Sequence, residues 1–179
     1  MTTIIHPLRP AAATPQPLYR KGRPPRVVID NSLVLAALMF GGGAPAALRL
    51  AWQGGRLRPL LCLATLYDLE RRLSAPQLRL EGRERQQMVA DYLPHTLRVR
   101  LPGRVGRDGT AANGEMDEPA AMAMVRLAMA GRAHALVSAD AELLALDGKL
   151  CCPVMSLDAL LEQIPLRPRT QHREDRRAA

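Results

Sequence analysis

Aromatic residues are scarce in this chain of 179 residues: one Trp, one Phe and three Tyr make up 3% of it. Rings so few and scattered, Phe40 and Trp52 among them, offer no platform on which successive bases of a single strand would stack. Cysteine is scarce as well. Cys62, Cys151 and Cys152 are an odd number without C-x-x-C spacing, and the four histidines form no cluster, which argues against a disulfide framework or a zinc site. The adjacent pair reads as small core residues of a strand, and thiols left free suit a reducing compartment, so a cytoplasmic protein is expected. No apolar run approaches the roughly 18 residues of a membrane span. Pro and Arg interrupt any signal-peptide core in the first 25 residues. A nucleotide-binding glycine loop is missing too. "GGGAP" is followed by no Gly-Lys-Ser/Thr and the G-x-G-x-x-G spacing fails, so that cluster reads as a turn.

Negative charge is absent from one more place. Residues 1–25 hold Arg9, Arg20, Lys21 and Arg23 and no acid, while residues 163–179 hold five Arg against Glu174 and Asp175. The two arms thus account for +7 of the net +8 and leave the body, residues 26–162, at +1. Basic arms on a nearly neutral body suit a polyanion such as RNA, because Arg and Lys near phosphates release counterions; they equally serve as solvated tails. The organisation expected is a basic, Pro-rich arm over 1–25, disordered until something binds it, one domain over 26–162, and a basic tail over 163–179.

Within the body, apolar runs alternate with helical patterns. "RVVI" is a continuous apolar run typical of a central parallel strand, and "SLVLAALMF" then takes up helical spacing as far as the Gly-Pro break. "LRPLLCL" is the next strand and "ATLYDLERRLSAP" the next helix; Leu66, Leu69 and Leu73 mark the buried side of that helix, and Glu70, Arg71 and Arg72 its exposed side. A helix over "EGRERQQMVADYL", a half-exposed strand over "HTLRVRLP" and a Gly-rich loop follow. "EPAAMAMVRLAMAGRA" is a helix with Pro in its first turn; "HALVSAD" is a strand, "AELLALDGKL" a short helix, "CCPVMS" a last strand and "LDALLEQI" a closing helix. Strand-helix alternation predicts a three-layer α/β/α sandwich around a mostly parallel sheet, whose strands present their carboxyl ends along one edge.

Acids collect at that edge. Asp30 ends the first strand and Asp140 ends "HALVSAD"; Asp68 lies between core leucines, and Asp117 and Glu118 open the helix leading to the second of these strands. Carboxylates brought together repel one another, and a divalent ion relieves the repulsion. Oxygen-only donors favour Mg²⁺ or Mn²⁺ over zinc, and such an ion suits phosphodiester hydrolysis. The other use of acids so placed is helix capping, open to Asp30 and Asp68.

Three stretches resemble one family. "RVVIDNSLVLAALMFGGGAPAALRLAWQGGRL", "LATLYDLERRLSAPQL" and "AMAGRAHALVSADAELLAL" are similar, in order and spacing, to the PIN domains identified as toxins of toxin-antitoxin systems. The resemblance implies a PIN-like fold and a Mg²⁺- or Mn²⁺-dependent ribonuclease. It further implies Asp30, Asp68 and Asp140 as catalytic and metal-holding acids, with Glu118 as a further catalytic acid. Ser32, Ser138 and Glu142 would orient ligands. It puts Ala121 where the family carries the second acid of a D-x-x-D pair, which Glu118 would replace; the alternative is a catalytically impaired module on the same fold that binds RNA or protein. The partners implied are RNA, an antitoxin protein and a second copy of the chain, with no membrane.

Overall fold

The computed structural model describes Leu18, residues 23–101, 104–105, 111–112 and 119–164. Asp117, Glu118, most of the Gly-rich loop and nearly all of both basic arms lie outside the described residues. Leu18 belongs to the N-terminal arm yet is buried in the main core, so the packed body reaches back past residue 26.

The run "RVVI" forms β1 (Arg26–Ile29), followed by α1 (Asn31–Met39), α2 (Gly43–Gln53), β2 (Arg58–Leu61) and α3 (Leu63–Leu73). Then come α4 (Gly82–Tyr92), β3 (Leu97–Arg98), a hairpin of β4 (Arg104–Val105) and β5 (Ala111–Ala112), and α5 (Ala120–Ala130). The chain continues with β6 (Ala135–Val137), α6 (Ala141–Leu144), β7 (Val154–Met155) and α7 (Leu157–Gln163). The main sheet has five strands in the order β3-β2-β1-β6-β7, every pair parallel, so the expected α/β sandwich is the fold found.

Successive residues of a strand point to opposite faces, and β1 uses this to separate two cores. Val27 and Ile29 join Leu48, Trp52, Leu69 and Leu160 on one face; Val28 joins Leu136, Leu127 and Met124 on the other. Burial on both faces is why β1 and β6 read as unbroken apolar runs. Trp52 and Tyr92 meet edge to face with ring centroids 5.1 Å apart, tying α2 to α4. Among the described residues no single helix is long and apolar enough to cross a membrane.

Three local expectations change. The strand over "CCPVMS" begins only at Val154, the first of these residues in register with β6; Cys151 is exposed and Cys152 buried. Pro119 stands at the N-cap of α5 rather than within its first turn, and its carbonyl accepts from Met122 and Ala123. Arg72 is half-buried rather than freely exposed, because it folds back along α3 onto Asp68.

Candidate active site

The strand order turns at β1. From β1 the chain moves outward through β2 and β3, then returns to place β6 on the opposite side of β1. In open parallel sheets, crevices that bind ligands form at the carboxyl ends of the strands flanking such a switch point. Here those ends carry Asp30, after β1, and Ser138 to Asp140, after β6.

Asp30 is only 7% exposed. Its N–H donates to the Val137 carbonyl at 2.9 Å, which extends the β1–β6 ladder by one residue. The residue then caps α1, with Oδ1 accepting from the Ser32 N–H at 3.0 Å. Oδ2 accepts from the Ser138 hydroxyl at 2.7 Å. Ser138 is fully buried, and its Oγ in turn accepts from the Asp140 N–H at 3.0 Å. One hydroxyl therefore links the two strand ends. Asp140 is exposed and caps α6, its Oδ1 accepting from the Glu142 N–H at 2.8 Å. Capping takes up one oxygen of each acid by way of a neutral N–H donor. Ser32 and Glu142 are exposed beside these caps.

Asp68 has a different environment. It caps nothing and sits inside α3, buried at 7% exposure beside Leu69. Arg71 donates to its Oδ1 at 2.8 Å, Arg72 to its Oδ2 at 2.7 Å and the Asn31 amide to Oδ2 at 2.9 Å. Both oxygens are thus engaged, and two of the three donors carry full positive charge. Burial by itself raises the Asp68 pKa, but the hydrogen bonds from Asn31, Arg71 and Arg72 and the charge of Arg72 outweigh it and hold the carboxyl below its ordinary value. The same contact pushes the Arg71 guanidinium pKa above its usual range.

Asn31 is the residue that the sequence reading passes over. It follows Asp30 directly and is 5% exposed; its Nδ2 also donates to the Thr65 carbonyl at 2.8 Å, so one amide locks α1 against α3. The signal available was a polar side chain opening an otherwise apolar helix. For the arginines the signal was spacing, since an acid followed by Arg at i+3 and i+4 brings opposite charges together on one helix surface.

The structure therefore joins Asp30, Ser138 and Asp140 directly, and ties Asp68 to the residue next to Asp30 through Asn31. Ala121 stands exposed in the first turn of α5, and Glu118 lies outside the described residues. Among the described residues no three His, Cys, Asp or Glu side chains are grouped so as to hold an ion by themselves. The donor chemistry nevertheless fits a hard cation at Asp30 and Asp140, which offer carboxylate oxygens met by uncharged donors. Asp68, as it stands, fits such an ion only where a guanidinium yields its place.

A comparison with curated proteins finds no match. Among solved structures the chain is similar to PAE2754 from Pyrobaculum aerophilum, with 19% identity, a TM-score of 0.48, and coverage of 84% of this chain and 96% of that one. A protein-family comparison matches residues 26–142 to the PIN domain, a span running from the first residue of β1 through Asp30, Asp68 and Asp140 to Glu142. With well over half of its length in that match, the chain belongs to the PIN domain family.

Proposed function

We propose that this nuclease-type fold works as a Mg²⁺- or Mn²⁺-dependent endoribonuclease, the toxin component of a toxin-antitoxin module, acting in the cytoplasm. The observation that supports the reading most is the pairing of Asp30 with Ser138 and Asp140 across the switch point of the sheet. Asp30 and Asp140 would hold the ion, with Asp68 and Glu118 as the further acids. When bound, the ion would lower the pKa of a water and neutralise charge on the scissile phosphate.

The chain's own residues prepare the site. Ser138 donates to Asp30 and accepts from the Asp140 backbone, which fixes the carboxylate of Asp30 at the linked ends of β1 and β6. The Ser32 and Glu142 N–H groups each hold one carboxylate oxygen, of Asp30 and Asp140 respectively, which narrows the rotamers open to the two acids. Asn31 sets the distance between α1 and α3. RNA is the substrate class in this reading, and the basic arms add counterion-releasing affinity for it. An antitoxin protein and a second copy of the chain are the protein partners.

A second reading is a PIN-fold module that binds RNA or protein with impaired cleavage. Ala121, in place of an acid, and the arginine contacts of Asp68 favour it. Cleavage of a mixed RNA pool by purified protein decides between the two. The first reading expects cleavage with Mg²⁺ or Mn²⁺ that EDTA and the Asp30→Asn/Asp140→Asn double variant abolish. Absence of cleavage in the wild type, with an Ala121→Asp variant gaining it, moves the conclusion to the second.

A further inference from the structure

We propose that Arg71 and Arg72 are built-in countercations of Asp68, and that a divalent ion engages Asp68 only by displacing at least one of the two guanidiniums. The inference rests on the metal-dependent reading of the site and adds two residues to it that act against the ion rather than with it.

The geometry carries the argument. A carboxylate offers about four lone-pair positions, and on Asp68 three N–H donors take three of them; the one left, on Oδ1, lies beside the Arg71 guanidinium, whose charge repels a second cation while it stays in place. Two of those donors belong to guanidiniums, which stay protonated at any working pH, so the competition is never relieved by loss of a proton. A buried acid needs such compensation in the absence of metal, because an unpaired charge out of water is costly. The clamp is nonetheless able to open. Only the acid is buried: the side chains are 70% exposed for Arg71 and 38% for Arg72, against 9% for Asp68. A displaced guanidinium passes into water, and the ion that takes its place keeps the buried carboxylate compensated. Asn31 keeps its hold on Oδ2 throughout and preserves the position of the carboxylate.

The position is therefore filled by the chain's own two cations, or by an ion from solution at the expense of at least one of them. The test is Mn²⁺ binding by isothermal titration to metal-free full-length protein. It compares the wild type with Arg71→Gln, Arg72→Gln, the Arg71→Gln/Arg72→Gln double variant, and that double variant with Asp68→Asn added. The double variant should bind about tenfold more tightly, which corresponds to about 1.4 kcal/mol of competition removed. Each single change should give part of the gain, and Asp68→Asn should remove it. Without metal, the double variant should melt at a lower temperature than the wild type. Arg71→Gln removes a largely exposed side chain, so it reports on the proposal even where the double variant fails to fold.

Equal or weaker Mn²⁺ binding by the arginine variants overturns the proposal. So does a gain that survives Asp68→Asn, or no binding by any of the proteins. Cleavage of RNA separates this from the functional reading. Cleavage that depends on Asp30, with unchanged affinities, sinks the clamp alone; tighter binding without any cleavage sinks the nuclease alone.

Discussion

Two acids of this site come out of water in different company. Asp30 is met by a serine hydroxyl and a backbone N–H, both neutral, while Asp68, equally buried, is met by two guanidiniums and an amide. Neutral donors lower the cost of burying a carboxylate but leave its charge unbalanced, so a cation brought to Asp30 is still attracted by it. Guanidiniums balance the charge itself, and the same cation brought to Asp68 meets a position already taken. Burial alone would have ranked the two acids together. The charge of their partners separates them.

The largest effect expected from breaking the comparison is at Asp30. Asp30→Asn keeps the cap and an acceptor for Ser138 but removes the charge, so RNA cleavage should fall by at least about a hundredfold, the scale on which electrostatic groups at a reacting centre act. Circular dichroism should report a fold close to that of the wild type. Ser138→Ala tests the link between the strand ends. It leaves the Asp140 N–H and Asp30 Oδ2 without their shared buried partner, which should cost about 1–3 kcal/mol in denaturant unfolding and lower cleavage less than Asp30→Asn does.

Acid sharpens the contrast further. The folded Asp68 carboxyl titrates below its ordinary 3.8, so the native state binds this proton less readily than the unfolded chain does. Its contribution to stability is then fully present above about pH 4 and is lost as pH falls through the depressed folded value. In EDTA, Asp68→Asn should lower the melting temperature above about pH 4 and flatten the acid limb, so that its difference from the wild type narrows as pH falls. The smallest effect belongs to an ion pair with neither partner buried. Arg49 and Asp91 stand 3.3 Å apart with side chains 33% and 48% exposed, and Asp91→Asn should change stability by about 1 kcal/mol or less.

The fold was largely legible because its periodicities are local. The unbroken apolar runs of β1 and β6, the helix spacing around Leu69 and Leu73, and the alternation of Leu97, Val99 and Leu101 against Arg98 and Arg100 each follow from which face is buried. That Asp30 and Asp140 end parallel strands was legible in the same way. Their adjacency was not, because it depends on the chain returning to the far side of β1 after more than a hundred residues, a choice made by packing both cores at once. Asn31 went unread for a related reason, since its two partners, Thr65 and Asp68, lie on another helix. Arg71 is exposed as its place on the helix implies and Arg72 is half-buried, and the contact of both with Asp68 is what their spacing alone leaves unread. A long side chain can keep its stem in solvent and still return its charged head to a buried acid.

The central proposal is that the joined carboxyl ends of β1 and β6, at Asp30 and Asp140, would hold a hard cation. Anomalous scattering from crystals grown with Mn²⁺ tests it most directly. The account predicts a peak within about 2.5 Å of carboxylate oxygens from both Asp30 and Asp140, at the outer end of the range for hard cations on oxygen. A protein that cleaves RNA with Mn²⁺ while its ion lies away from both acids would contradict it.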